Sequence, residues 1–296
     1  MRFGLHLPNA GLLPEGAGVV RVAQAAEQDG FDSVWLFDHL FTPVNLASKY
    51  PYSPDGSYVM TAQLPFADPV AVMAAVAGAT TTIRFGTRVL IATYRHPVVL
   101  AKELATIDHI AGGRMLLGVG AGWMAEEFDA IDLPMEGRFE RMDEHIELMR
   151  NAWTNGVARF DGRFYAHVEA GFGPQPPGPG HTIPIIIGGH GDAALRRAAR
   201  YGDGWAVSAK GDALLAHGFA AVSERLDKLR HFCAEEGRNF DDLLLIGQAG
   251  PQDTPDTLKA QADQGIDMVD FMFFGSEQQI VEAGRRFLDE VAAKVG

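Results

Sequence analysis

Along this chain, eight short runs rich in β-branched and aromatic residues alternate with stretches whose apolar residues recur at helical spacing. Sustained alternation of this kind builds a parallel sheet, because parallel neighbours need a crossover and a helix usually supplies it. The predicted strands are 2–7, 33–37, 83–91, 115–119, 185–187, 204–207, 243–246 and 268–273. The predicted helices are 18–29, 69–79, 98–110, 138–155, 193–201, 214–236, 256–264 and 277–293. Val19, Val22, Ala23 and Ala26 share one helical face, as do Met142, Ile146, Met149 and Trp153, and Gly112-Gly113 is a helix stop. Eight such units in 296 residues fit the α/β class as a single (β/α)8 TIM barrel over 1–296, whereas an open doubly wound sheet of this length would split into two domains.

Three long excursions break the regular spacing: 41–68 after strand two, 124–137 after strand four, and 157–184 before strand five. The first two leave from carboxyl ends of strands, the end where barrels place their chemistry, and so are candidate lids or substrate walls. The third contains Phe160-Asp161-Gly162-Arg163-Phe164, an Asp-Gly turn between aromatic residues that predicts a small hairpin. Residues 174–180 (PQPPGPG) form a rigid connector.

Composition enters by exclusion. A net charge of −13 argues against a nucleic acid or an anionic membrane as partner. Cys233 is the only cysteine, which removes an internal disulfide framework and points to a reducing, cytoplasmic setting. The first residues, MRFGLHLPNA, lack the pattern of a signal peptide, and the most apolar stretch, 70–79, is about half as long as a membrane span requires.

Two strands run straight into glycines and then towards a helix: 115–123 (MLLGVGAGW) and 183–192 (IPIIIGGHGD). Glycine at the end of a buried strand lets a flat or phosphorylated ligand approach backbone amides. Gly118, Gly120 and Gly122 offer a floor for a planar ring; the dinucleotide-binding pattern would need glycine where Trp123 stands. Gly188, Gly189, His190 and Gly191, ahead of Asp192 as predicted N-cap, offer an anion site at a helix start. Asp38-His39, directly after strand two, would project at the mouth of a barrel, where histidine can give or take a proton near neutral pH.

Arg88 lies in an otherwise apolar strand and needs a partner, while Tyr94, Arg95 and His96 follow the same strand and are candidates to contact an anionic cofactor tail or substrate. No metal site is expected, because His6, His39, His96, His109 and His190 show no H-x-H or H-E-x-x-H spacing. Cys233, on a helix away from the strand ends, reads as core.

Taken together, 33–40 (SVWLFDHL), 86–97 (GTRVLIATYRHP), 110–128 (IAGGRMLLGVGAGWMAEEF) and 186–205 (IIGGHGDAALRRAARYGDGW) resemble the luciferase-like flavin and deazaflavin oxidoreductases, with their F420-dependent actinobacterial branch nearest. The resemblance implies a barrel that binds coenzyme F420, with FMN as the alternative cofactor. It places Asp38 and His39 beside the cofactor ring, with His39 handling the proton. It places a non-prolyl cis peptide at Arg88-Val89 behind the ring, Ala121 and Gly122 along the cofactor, and Gly188, Gly189, His190 and Gly191 at its phosphate. The superfamily's sugar-phosphate dehydrogenases carry tryptophan and glutamate where Pro43 and Trp123 stand here. Trp123 and Phe41 are therefore expected to make the substrate pocket more apolar.

The expected activity is hydride transfer between the deazaflavin and a small organic substrate. An FMN-dependent two-component monooxygenase is the close alternative; a metal-dependent barrel hydrolase and a non-catalytic flavin-binding barrel are remote ones. Expected partners are a flavin or F420 reductase and a second copy of the chain, with apolar helix 70–79 as a possible dimer face. Arg95 with Lys210 would form a basic groove for the F420 tail.

Overall fold

Closure of the sheet follows from strand register. In the computed structural model, which describes residues 1–166, 168–207 and 218–295, β1 (Arg2–His6) lies between β2 (Ser33–Leu36) and β11 (Met268–Phe271), with Arg2 opposite Met268 and Gly4 opposite Ser33. Beyond β2 come β3 (Arg84–Thr87), β5 (Met115–Gly120), β8 (Ile185–Ile187), β9 (Gly204–Ala206) and β10 (Leu244–Ala249), which returns to β11. All these pairs are parallel, so the expected eight-stave (β/α)8 barrel is what forms. The predicted third strand, 83–91, is divided: β3 ends at Thr87, the Arg88-Val89 peptide is cis, and β4 (Leu90–Ile91) resumes the stave against β5.

Between the staves run α1 (Gly18–Asp29), α2 (Pro69–Ala79), α3 (Pro97–Ala111), α5 (Arg138–Asn155), α6 (Asp192–Tyr201), α7 (Gly218–Glu235), α8 (Pro255–Asp263) and α9 (Glu277–Glu290). Their apolar faces and the outward-facing strand residues make the larger core, in which Cys233 is buried. Local chemistry sets their ends. The Asp68 carboxylate accepts the Ala71 N–H at 2.9 Å to start α2, Gly112 ends α3 at φ 69°, and capping boxes at Thr254 and Ser276 start α8 and α9. The predicted start of the sixth predicted helix (α7), 214, lies outside the described residues.

Inside the barrel, Trp35, Leu116, Ile186, Ala206, Ile246 and Met268 close a second, smaller core. Trp35 fits because two neighbouring strand positions lack side chains. A Cβ on Gly4 would lie 2.5 Å from Trp35 Nε1, and one on Gly86 would lie 1.9 Å from the Leu116 carbonyl oxygen.

The insertions depart in detail from expectation. Residues 124–137 contain a short helix, α4 (Ala125–Ala130). The hairpin of β6 (Val157–Phe160) and β7 (Val168–Gly171) forms, but Phe160 pairs with Val168, so Asp161-Gly162 belongs to a longer connection and not to a two-residue turn. Glu144 of α5 holds that connection, accepting the N–H groups of Arg163 and Phe164 at 2.7 and 2.9 Å. Among the described residues no helix is long and apolar enough to cross a membrane.

Glu27 of α1 pins the turn that feeds β3, accepting the N–H groups of Thr81, Thr82 and Ile83 at 2.8, 2.6 and 3.0 Å. Partial burial works against its charge, but the donors from Thr82, Ile83 and Thr81 overcome it and bring the carboxyl from 4.5 down to about 2. A folded value below the unfolded one stabilises the protein above 4.5, and that contribution fades as pH falls towards 2. Glu27→Gln should therefore lower the melting temperature at pH 7. In thermal melts across pH, the gap to the parent protein should narrow steadily below pH 4.5; a gap that stays constant or widens contradicts the assignment.

Candidate active site

At the carboxyl end of β2 the chain presents Asp38 and His39 in succession, and each is bound to a different partner. His39 Nδ1 lies 2.7 Å from Glu127 Oε2. The Glu127 side chain is fully buried on α4 and also accepts the Leu40 N–H and, at 2.9 Å, the Tyr94 hydroxyl. Because a carboxylate only accepts, Nδ1 carries the proton and Nε2 is left for chemistry. Burial, reinforced by Glu127, drives the Tyr94 phenol above its ordinary value, so Tyr94 stays a neutral donor. Glu127 escaped the sequence reading although it stands in the quoted stretch 110–128. An acid paired with a histidine 88 positions away leaves no local signature.

Val89 occupies the place expected for a cofactor ring floor. Added Cβ atoms on Gly120 and Gly188 would come within 2.6 and 2.8 Å of its methyl groups, and one on Gly118 within 3.5 Å. Gly120 and Gly188 thus receive Val89, whereas a Cβ on Gly118 would meet the Thr87 carbonyl oxygen at 1.9 Å, so these glycines serve neighbouring strands. Gly122, at φ 77°, packs against Phe128 and Ile91, and Ala121 beside it is 7 % exposed. The Arg88 guanidinium reaches across the barrel and donates to the carbonyl oxygens of Ile246, Gly247 and Val207 at 3.1, 2.6 and 3.0 Å. Burial pulls Arg88 below its ordinary value while nearby Asp270 opposes that.

The loop 188–191 crosses the end of β8. Trp205 Nε1 donates to the Gly189 carbonyl oxygen at 2.8 Å and Arg225 Nε to that of His190 at 3.0 Å. The N-cap of α6 is Gly191, without a side-chain cap, and not Asp192, whose carboxylate faces Lys228 at 3.2 Å. Among the described residues, a Cβ on Gly191 would meet nothing within 4 Å.

The insertion 41–68 arches over these groups with rings that the sequence reading did not single out. Trp123 stands edge-on to His39, with centroids 5.9 Å apart, and touches Tyr50 and Tyr58 at 5.2 and 5.1 Å. Phe66 is 5.3 Å from His39, and Tyr52 is 5.2 Å from His190. Burial pushes the Tyr50 phenol up to about 12. Trp123 is thus brought into the mouth, whereas Phe41 lies at the surface with 36 % of its area exposed. Beneath the arch, Asn9 Nδ2 donates to the carbonyl oxygens of Phe37 and Ala67 at 2.8 and 3.1 Å, tying strand end to insertion end. Among the described residues no three His, Cys, Asp or Glu side chains converge as a metal site would require.

The family model described as luciferase-like monooxygenase matches residues 1–293. An uncharacterized protein of Mycobacterium tuberculosis is 38 % identical over 186 residues, 63 % of this chain and 63 % of its own length. An F420-dependent glucose-6-phosphate dehydrogenase of Nakamurella multipartita is 34 % identical over 229 residues, 75 % of this chain and 59 % of its own. The chain thus spans under two thirds of the length of these curated relatives. The crystal structure of a monooxygenase from Streptomyces bottropensis superposes over 100 % of both chains with TM-score 0.76 at 21 % identity, a likeness of fold.

Arg95 corrects a further expectation. Its guanidinium donates to Asp38 Oδ2 at 2.9 Å and to Asp68, and its side chain is 14 % exposed, so both sides of the fork are engaged and it is not poised for a cofactor tail. Lys210, its expected companion, lies outside the described residues. Burial opposes the Arg95 charge, but Asp38 and Asp68 outweigh it and hold the group above its ordinary value. Asp38, buried, is raised by desolvation against the pull of Arg95 and also accepts the Ile91 N–H at 2.8 Å. His96 is exposed and caps α3 through its ring, accepting the Val98 N–H. Arg95→Ala would strand the Asp38 carboxylate in the interior, at a cost of about 3 kcal/mol. Urea denaturation at pH 7 should show that loss; an unchanged midpoint contradicts it.

Proposed function

Since the chain belongs to the luciferase-like monooxygenase family, we propose that this oxidoreductase binds coenzyme F420 non-covalently and exchanges a hydride between the deazaflavin and a small organic substrate. The residues present fit such a cofactor. Val89, seated in glycines of two strand ends, is a rigid apolar shelf for a ring, and the uncapped start of α6 at Gly191 offers amides to a phosphate. Bound F420 would supply the redox chemistry itself. The chain's share is to hold the ring against Val89, exclude water with the arch of Tyr50, Tyr52 and Tyr58, and manage the proton.

One observation carries the reading: buried Glu127 engages His39 Nδ1 at 2.7 Å, which leaves Nε2 as the nitrogen that can give or take a proton. Hydride transfer to or from a carbon that bears oxygen needs a proton moved in the same direction, and a histidine so held can move it. Likeness to an F420-dependent dehydrogenase supports this cofactor. Likeness to a monooxygenase favours the second reading, FMN with oxygen, served by the same shelf and loop. For substrate, the ring cluster around Trp123 suits an apolar molecule better than a sugar phosphate, in line with Pro43 and Trp123 standing where sugar-phosphate dehydrogenases carry tryptophan and glutamate.

Side-by-side fluorescence titrations of the apo-protein should show much tighter binding of F420 than of FMN. The reverse order replaces the first reading by the second. His39→Asn should slow turnover by about 100-fold or more with cofactor affinity unchanged, and Glu127→Gln should slow it by about tenfold or more. Turnover that survives His39→Asn removes the proton role from this histidine.

A further inference from the structure

Beyond the mouth the protein holds a cavity of 460 Å³ that the proposed chemistry does not use. Three segments enclose it: the connection after β1, which brings Ala10 and Leu12, the insertion 41–68, which brings Met60 and Leu64, and the connection between β11 and α9, which brings Met272 and Phe274. These segments are fastened to one another and to the barrel. Ala10 bridges Phe66 in an antiparallel pair, the Gly11 N–H donates to the Pro65 carbonyl oxygen at 3.0 Å, and the Phe274 ring lies parallel to that of Phe37 with centroids 6.2 Å apart. None of Asp38, His39, Val89, Trp123 or Gly191 is among the lining residues, so the cavity is a space of its own and not a part of the mouth.

Its walls present carbon. His6 is the only lining residue with a nitrogen or oxygen in its side chain, and neither ring nitrogen serves the cavity: Nδ1 is bound to Asp270 Oδ2 at 2.9 Å, Nε2 is buried, and the side chain as a whole is 2 % exposed. Backbone groups of the walls are engaged as well. The N–H groups of Leu7, Gly11 and Met272 donate to the carbonyl oxygens of Trp35, Pro65 and Ala249, and the Phe37 carbonyl oxygen accepts from Asn9 Nδ2. Water in such a space finds few partners, whereas an apolar guest gives up none and takes wall surface out of solvent. At this same cavity Leu12, Val59 and Phe274 each keep more than half of their surface in water, an exposure that an apolar occupant would reduce.

We propose that this cavity is a second small-molecule site, separate from the mouth, and that it takes an uncharged, hydrocarbon-like molecule. The volume lies in the range of small-molecule sites, and walls so poor in free polar groups select against charge and against any group that must give up water without a new partner. Met60 and Met272 contribute flexible thioethers, which adapt to guests of different outline. Recognition is then by volume and apolar area. A guest would rest against Val59 and Met60, which directly follow Tyr58, whose ring lies 5.6 Å from that of His39. The site goes beyond the proposed function and holds whichever cofactor the mouth takes.

The probes are toluene, n-butylbenzene and 4-butylbenzoate. Calorimetry on the parent protein should show n-butylbenzene binding about tenfold or more tightly than toluene, as the added methylene groups leave water, and 4-butylbenzoate binding about tenfold or more weakly than n-butylbenzene. In protein carrying 13C in its methionine methyl groups, the Met60 and Met272 resonances should move on adding n-butylbenzene while that of Met73, in the larger core, stays in place. Leu64→Trp, which enlarges a lining side chain, should weaken n-butylbenzene about tenfold or more, and Trp123→Ala, which alters the mouth, should leave its affinity unchanged. The methionine spectrum is taken on the parent protein, so it decides the matter even where a variant fails to fold. No binding of n-butylbenzene, equal affinity for the benzoate, still Met60 and Met272 resonances, binding kept in full by Leu64→Trp, or binding lost in Trp123→Ala would each overturn the proposal. Separate F420 and FMN titrations decide the cofactor reading whichever way these measurements fall.

Discussion

The barrel stands on a volume constraint along its axis. Inward-facing side chains must fill the interior without colliding, and this chain meets the condition by pairing large residues with absent ones. Trp35 occupies the lower layer because Gly4 and Gly86 leave it space; Val89 occupies the upper layer because Gly120 and Gly188 do the same. The Val89 shelf is thus a consequence of packing before it is a feature of the site. Enlarging any of these glycines would push backbone or ring, since the atoms a Cβ would meet include carbonyl oxygens at 1.9 Å beside Gly86 and Gly118.

Above that packed floor the interior is polar, and four of its ionisable groups are each held by another group. Asp38 lies with Arg95, His39 with Glu127, His6 with Asp270, and Arg88 with three carbonyl oxygens, two within β10 and one just past β9. Such pairs add little net stability compared with apolar packing, because desolvation offsets most of their attraction. What they provide is orientation: each ring or carboxylate has one position. For the proposed proton role of His39, fixed orientation matters more than the energy of the pair.

Sequence made the scaffold legible because its signals are local. Strand runs, helical faces and the stop at Gly112 each declare themselves within a few residues, and closure into a barrel follows from their number. The glycine-ended strands and Asp38-His39 were legible for the same reason, since they sit at strand ends that the pattern already locates. The partners were not. Glu127, Asn9 and Asp270 acquire their meaning from contacts 88, 28 and 264 positions away in sequence, and no spacing rule reaches so far. Arg95 shows the converse error: a cation beside a candidate site invites an anion from outside, yet Asp38 and Asp68 had already neutralised it. The glycine floor misled in a similar way, because a gap in side chains can be filled by a neighbouring strand as readily as by a ligand.

The two histidine–carboxylate pairs repay comparison. In both, Nδ1 is the nitrogen bound to the acid, at 2.7 Å in one and 2.9 Å in the other, so Nε2 is the nitrogen left for chemistry in both. Their surroundings differ. His39 is ringed by Tyr58, Phe66 and Trp123 and its acid also accepts from Tyr94, a setting that can exchange a proton with a neutral hydroxyl network. His6 lies under Phe37, its ring tilted against it with centroids 3.8 Å apart, and both His6 and its acid are buried. One device, a histidine steered through Nδ1 by a buried acid, thus occurs twice, once among the rings of the mouth and once in the packed interior beneath it.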